Sequence, residues 1–387
     1  VIKAVIPSPS KATVAGSKLQ VVVHARLLCN HYFQGLGSLN KDKDKITRAW
    51  QNPSIAEEPL FSRAWAFQER ILARRTLDYH ANEIVWECRE MRKCECTESD
   101  RRELDTQKKR FTDAMSVGGR NRDDVWMQII ETYTTLALTF SSDKLPALSG
   151  LAQRMAASKR SRYLAGMWEE DMPHCLLWYP SPEGRESEYD STNSSRPFSK
   201  PARQKDAPSW SWVSMECPAV FRLLYSWKNN VPVAKVMNAE CNPAGVNPYG
   251  HCLDGRLTIR GPVVNGQLKY NRKLDQPFWI SAGNFWFHVW PDFDYSEPGT
   301  SYFLESGTKV FLMEMIRNAD QSHGLILRII HGSDGSETYE RLGSFMREGV
   351  HGKLVLQQIE TLESKTESKI VFNDVFADAE IKTLVIV

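Results

Sequence analysis

Between residues 60 and 74 the apolar positions recur at helical spacing. At about 100° per residue, Phe61, Ala64, Trp65, Gln68, Ile71 and Leu72 fall on one face. Pro59 is placed to open this helix, since a first-turn proline loses only an N–H that would be unpaired. Glu57 and Glu58 sit where the positive end of the helix dipole favours carboxylates. Gln68 lies inside the apolar stripe. A buried amide without partners costs roughly 1–3 kcal/mol, so Gln68 is expected to be tied to backbone or to a neighbouring side chain. Arg63, Arg70 and Arg74 share the opposite face, with Glu69 at its edge. Thr76–His80 and Glu83–Cys88 then alternate as two short strands, with Ala81-Asn82 as the turn between them.

Further along, residues 89–120 are polar and charged, expected as a surface loop or short helix. Asn121 or Asp123 is placed to cap a helix carrying Trp126, Ile129, Ile130, Tyr133, Leu136 and Ala137. A second helix follows, capped by Ser141 or Ser142, with Pro146 in its first turn. Leu145, Leu148, Leu151, Ala152 and Met155 form its stripe. The run Tyr163-Leu-Ala-Gly-Met-Trp168 reads as an apolar helix in which Gly166 permits close backbone approach. Residues 181–206 are rich in Ser, Pro, Lys, Arg and Glu, the texture of a flexible linker. Trp210 and Trp212 share one face of an expected strand.

From about residue 231 the pattern becomes β. The expected strands are 231–240, 256–264, 277–282, 285–290, 308–317, 324–331, 337–346, 352–358 and 381–387, with Asp254-Gly255, Asn265-Gly266 and Asp334-Gly335 as turn signals. These strands imply an antiparallel sandwich or distorted barrel. The fold class is therefore α+β: an α/β-type segment with helices, followed by an antiparallel β-rich domain. The divisions are 1–58, a connecting segment; 59–180, the mixed part with helices; 181–206, the linker; and 207–387, the β-rich part.

Composition narrows the function classes. Hydrophobic content of 42% and charged content of 25% over 387 residues are those of an ordinary globular protein. A formal net charge of +2 argues against a nucleic-acid partner, which needs clustered excess Lys and Arg. No apolar run approaches the ~18 residues of a membrane span. The chain starts at Val1 with no signal-peptide layout, which reads as a fragment or an incomplete gene model. The eight cysteines lack a framework spacing, so free thiols in a reducing, cytoplasmic compartment are expected.

The chemistry-bearing residues each carry two readings. Cys88, Cys94 and Cys96 are grouped tightly, but not in the pairs of a zinc module, and no histidine follows at ligand distance, so no metal is expected. Cys88 as a nucleophile would need a base beside it, and His80 serves only if the two strands pair. Glu69 and Glu87 are either general acid–base carboxylates or arginine partners that fix the helix; the second is the commoner use of a carboxylate beside arginines. The arginine row is either a paired face or an anion site built of guanidinium forks. Asp143 fits a first-turn helix position near the dipole. No nucleotide-binding glycine loop and no common hydrolase motif occurs, and neither a catalytic residue nor a cofactor is assigned.

The group Arg63, Trp65, Gln68, Glu69, Arg70, Trp86, Glu87 and Cys88 resembles the signature of the heterokaryon incompatibility (HET) domain family of filamentous fungi. Many members have a glycine where Ala64 stands. Further runs carry the same likeness: Tyr133 to Gly150, Tyr163–Trp168, Leu176-Leu-Trp178 and Pro208-Ser-Trp-Ser-Trp212, with weaker likeness in Gly324–Arg328 and Tyr339–Phe345. The family's N-terminal half, with its Trp-Gly and Trp-Ile-Asp motifs, is not found, so the chain looks as if it begins mid-domain. The resemblance implies a fungal allorecognition protein that acts through protein partners, with oligomerisation open, in programmed cell death. The family's distant relation to TIR domains implies a second reading, an NAD- or nucleotide-consuming effector, whose carboxylate would be expected in that N-terminal half. A third reading is an inactive remnant.

Overall fold

Alternation in the C-terminal half folds into a sheet that returns on itself. The computed structural model describes residues 2–4, 23–25, 60–79, 84–94, 107–116, 122–159, 161–180, 207–221, 230–274, 277–283, 285–318, 321–332, 334–348 and 375–387. Its strands are β1 (Ile2–Ala4), β2 (Val23–Ala25), β3 (Arg75–Tyr79), β4 (Ile84–Cys88), β5 (Arg92–Cys94), β6 (Tyr163–Leu164), β7 (Met167–Trp168), β8 (Tyr179–Pro180) and β9 (Ala219–Val220). They continue as β10 (Val231–Pro232), β11 (Lys235–Pro243), β12 (Cys252–Tyr270), β13 (Phe278–Ala282), β14 (Phe285–Pro291), β15 (Thr308–Arg317), β16 (Gln321–His331), β17 (Glu337–Glu348) and β18 (Glu380–Ile386). The helices are α1 (Ala64–Leu72), α2 (Gln107–Ala114), α3 (Arg122–Tyr133) and α4 (Ser149–Ala156).

Strands β12, β13, β14, β17, β16 and β15 pair in that order, and β15 pairs back onto β12, so the antiparallel circuit closes. This is the distorted-barrel alternative of the two sequence readings. Strand β18 runs along β12 and touches β17 in parallel. The strand expected at 352–358 lies outside the described residues, as do the linker, Pro59, Asn121 and the Ala81-Asn82 turn.

Two expected turns are corrected. Asp254-Gly255 and Asn265-Gly266 lie inside β12, because β11 pairs alongside the first and β15 alongside the second, and those ladders outweigh local turn preference. Asp334-Gly335 does turn the chain between β16 and β17.

The run Tyr163–Trp168 is a hairpin, not a helix. Ala165 and Gly166 take positive φ (45° and 90°) and reverse the chain between β6 and β7. Close approach at Gly166 holds: a Cβ there would lie 2.7 Å from the Trp212 ring. The Gly166 carbonyl accepts the indole N–H groups of Trp126 (3.0 Å) and Trp212 (3.2 Å). Trp210 and Trp212 sit in a turn and a short 310 helix, not a strand, with Ser211 Oγ accepting the Val213 N–H. Both indoles are fully buried, and Trp178 Nε1 donates to the Trp210 carbonyl at 3.0 Å.

Leu136 and Ala137 fall beyond the end of α3. The second expected helix divides into two 310 turns and α4, yet Leu145, Leu148, Leu151, Ala152 and Met155 are all buried as its stripe requires. Cys241 and Cys252 form a disulfide across β11 and β12, which corrects the expectation of thiols there; the hairpin brings their Cα atoms to 6.5 Å. Cys88, Cys175 and Cys217 remain thiols. No helix among the described residues is long and apolar enough to cross a membrane.

Candidate functional site

Helix α1 begins at Ala64, later than Pro59 would place it. Its entry is fixed by a strand-like bridge rather than a side-chain cap. The Ala137 N–H donates to the Ser62 carbonyl (2.7 Å), and the Ala64 N–H donates to the Ala137 carbonyl (3.0 Å). One orphan N–H of the first turn is thereby satisfied. The helix buries Ala64, Phe67 and Ile71. Phe67 therefore replaces Trp65 in the inward stripe. Trp65 is 40% exposed, and its indole N–H donates to Asp143 Oδ2 at 3.2 Å.

Gln68 is tied to backbone, as its position in the stripe requires. Its Oε1 accepts the Gly150 N–H at 2.6 Å. Gly150 stands in the first turn of α4, which has no side-chain cap of its own. Gln68 thus caps α4 from a neighbouring helix.

Arg70 and Glu87 form the centre of the site. Arg70 Nε donates to Glu87 Oε2 (2.8 Å) and its terminal nitrogen to Oε1 (3.1 Å), a bidentate fork. Glu87 is 1% exposed. Lys108 from α2 approaches Oε2 at 3.7 Å and donates to Thr76 Oγ1 at 3.3 Å. Burial alone would raise the Glu87 pKa, but the Arg70 charge and hydrogen bond, with Arg92 and Lys108 behind them, hold it below 4.5. Burial also lowers the Lys108 pKa, opposed by Glu87. The carboxylate therefore stays ionised, and both its oxygens are engaged. It has no proton to give as a general acid, and Arg70 is committed to it rather than to an external anion.

The remaining signature residues do not converge on this pair. Arg63, Glu69 and Arg74 are exposed, and Cys88 is a half-buried thiol opposite Arg75. His80 and Cys96 lie outside the described residues. Among the described residues, no group of His, Cys, Asp and Glu is arranged to hold a metal.

Sequence reasoning missed the buried cations. Lys144 donates to the carbonyls of Trp212 (3.4 Å) and Met215 and lies over the Trp212 ring. Burial lowers its pKa to about 8. Lys159 bonds both oxygens of Asp171 (2.7 and 2.9 Å). Arg341 is fully buried, pairs with Asp292 and donates to the carbonyls of Leu176 and Trp178. The one available signal was the wealth of tryptophan around the Lys144 and Arg341 partners, since indole faces attract cations. Comparison with known proteins returns no matching family model, no similar curated protein and no similar solved structure.

Proposed function

We propose that this chain is a HET-like module of fungal non-self recognition that works in cell-death signalling by contact with protein partners. The observation that supports this reading is the use made of the signature residues. Arg70, Gln68 and Glu87, with Lys108, form a clamp between α1, the β3–β5 sheet, α2 and α4. Such a clamp shapes a surface; both oxygens of its carboxylate and the forked edge of its guanidinium are turned on each other. Trp65, Arg63 and Glu69 stay on the outside, where a partner reaches them.

The enzymatic alternative requires a carboxylate facing a substrate, and Glu87 faces Arg70 on both oxygens. Expression in a filamentous fungal host tests the two readings together. The expected result is loss of viability with cellular NAD unchanged, relieved by Trp65→Ala combined with Arg63→Gln, both at exposed positions. A host that grows normally with soluble chain present overturns the proposal. NAD depletion preceding death replaces it with the enzymatic reading.

A further inference from the structure

The β3–β4–β5 sheet has two unlike faces. Thr76, Asp78, Val85, Glu87 and Arg92 alternate onto the inner face, where Glu87 meets Arg70 and Lys108. The outer face carries Leu77 opposite Trp86, Tyr79 opposite Ile84, and Lys93 beyond Trp86. Leu77 is 50% exposed, Tyr79 76% and Trp86 36%. The strand order also puts β3 at an edge. Among the described residues no strand pairs with its outer side, so a row of backbone donors and acceptors is left for another strand.

We infer that β3 pairs with β3 of a second copy of this chain, antiparallel about a two-fold axis at Leu77, merging two three-stranded sheets into one. The five residues Arg75-Thr-Leu-Asp-Tyr79 set this register. Centring on Leu77 gives full overlap and places each Leu77 against its equivalent, Arg75 against Tyr79, and Thr76 against Asp78. Arginine thus meets an aromatic ring and a hydroxyl meets a carboxylate. Centring on Asp78 would oppose two carboxylates, and centring on Arg75 two guanidinium groups. A slip of one residue on one strand would put outer-face side chains beside inner-face ones. The far edge, β5, is short and carries Arg92 and Lys93, which discourages further strand addition. The contact is isologous and closes at two copies. Its small area makes the dimer reversible and concentration-dependent.

Sedimentation velocity of the full chain over a concentration series tests this. Wild type is expected to move from monomer to dimer, whereas Leu77→Lys, which opposes two ammonium groups at the axis, stays monomeric with an unchanged circular dichroism spectrum. Leu77→Cys is expected to give an oxidised covalent dimer far faster than Val246→Cys, which shares the same background thiols at an exposed position elsewhere. A wild type that is monomeric throughout, or dimerisation unaltered by Leu77→Lys, overturns the inference. So does a monomer whose outer face binds anionic lipid vesicles, or an acidic amphipathic peptide, with loss of that binding in Leu77→Lys.

Discussion

Glu87 shows how a single side chain can be fixed by what surrounds it. Removing one partner of a buried ion pair costs roughly 3–5 kcal/mol, because the other charge is stranded. Arg70→Met is therefore expected to lower the unfolding free energy by that amount, read from urea titration, while a change at exposed Arg74 leaves it within error. The folded Glu87 pKa lies below its ordinary 4.5, so its contribution to stability is present above that value and is lost as pH falls through the folded pKa. Glu87→Gln should flatten the acid limb of the stability curve. Lys144 has the opposite consequence at alkaline pH. Its folded pKa is depressed from 10.5 to about 8, so burying it costs most while it is charged. Stability should rise by about 1 kcal/mol between pH 8 and pH 9, and Lys144→Met should abolish that rise. Denaturant titrations at the two pH values check it. Gln68 was legible because a polar residue interrupting an apolar stripe demands a partner. Lys144 was not, because its carbonyl partners stand 68 and 71 residues away and leave no local mark.

At the scale of elements, periodicity worked where one ladder or one face governs. Inward and outward positions alternate along residues 285–290, which lie in β14, since pairing on both sides rewards the extended chain. It failed where the chain is apolar without a period. Tyr163–Trp168 offered no alternation, and the deciding feature was a reversal at Ala165-Gly166 that presents carbonyls to Ser211, Trp126 and Trp212. It failed also at α1, where Trp65 and Phe67 exchange roles because Trp65 reaches Asp143 across the surface. The hairpin yields its own test. Gly166→Ala forces a methyl group to 2.7 Å from an indole ring at a φ of 90°. Strain of this kind costs typically 1–3 kcal/mol. The variant should melt at lower temperature and show altered near-ultraviolet circular dichroism, as the clash shifts the Trp212 ring and the carbonyl that Trp126 and Trp212 share.

Over the whole molecule, the sequence divides the chain at a linker, whereas the described residues on either side of it share one core. Arg341 makes the connection concrete. It projects from β17 of the closed sheet, stacks 3.6 Å from the Trp178 ring and donates to the carbonyls of Leu176 and Trp178. Its backbone N–H donates to Ser209 Oγ at 3.1 Å. The Ser209 N–H in turn donates to the Val387 carbonyl at 3.1 Å, and the Val387 N–H returns to the Tyr339 carbonyl at 2.9 Å. The ring of contacts thus runs from the segment around Trp178 through the Trp210 turn to β18 and back to the barrel. A junction this buried and polar couples the two halves, because parting them would strip Arg341 of the Leu176 and Trp178 carbonyls and of the Trp178 ring. Unfolding is therefore expected to be a single transition, with tryptophan fluorescence and far-ultraviolet circular dichroism coincident. Arg341→Met removes the cation paired with buried Asp292 and should cost roughly 3–5 kcal/mol. Arg341→Lys keeps the charge but cannot reproduce the planar fork, so it should recover only part of that loss. Two separate transitions in the wild type would mean that the halves fold independently and that Arg341 decorates a junction instead of holding it.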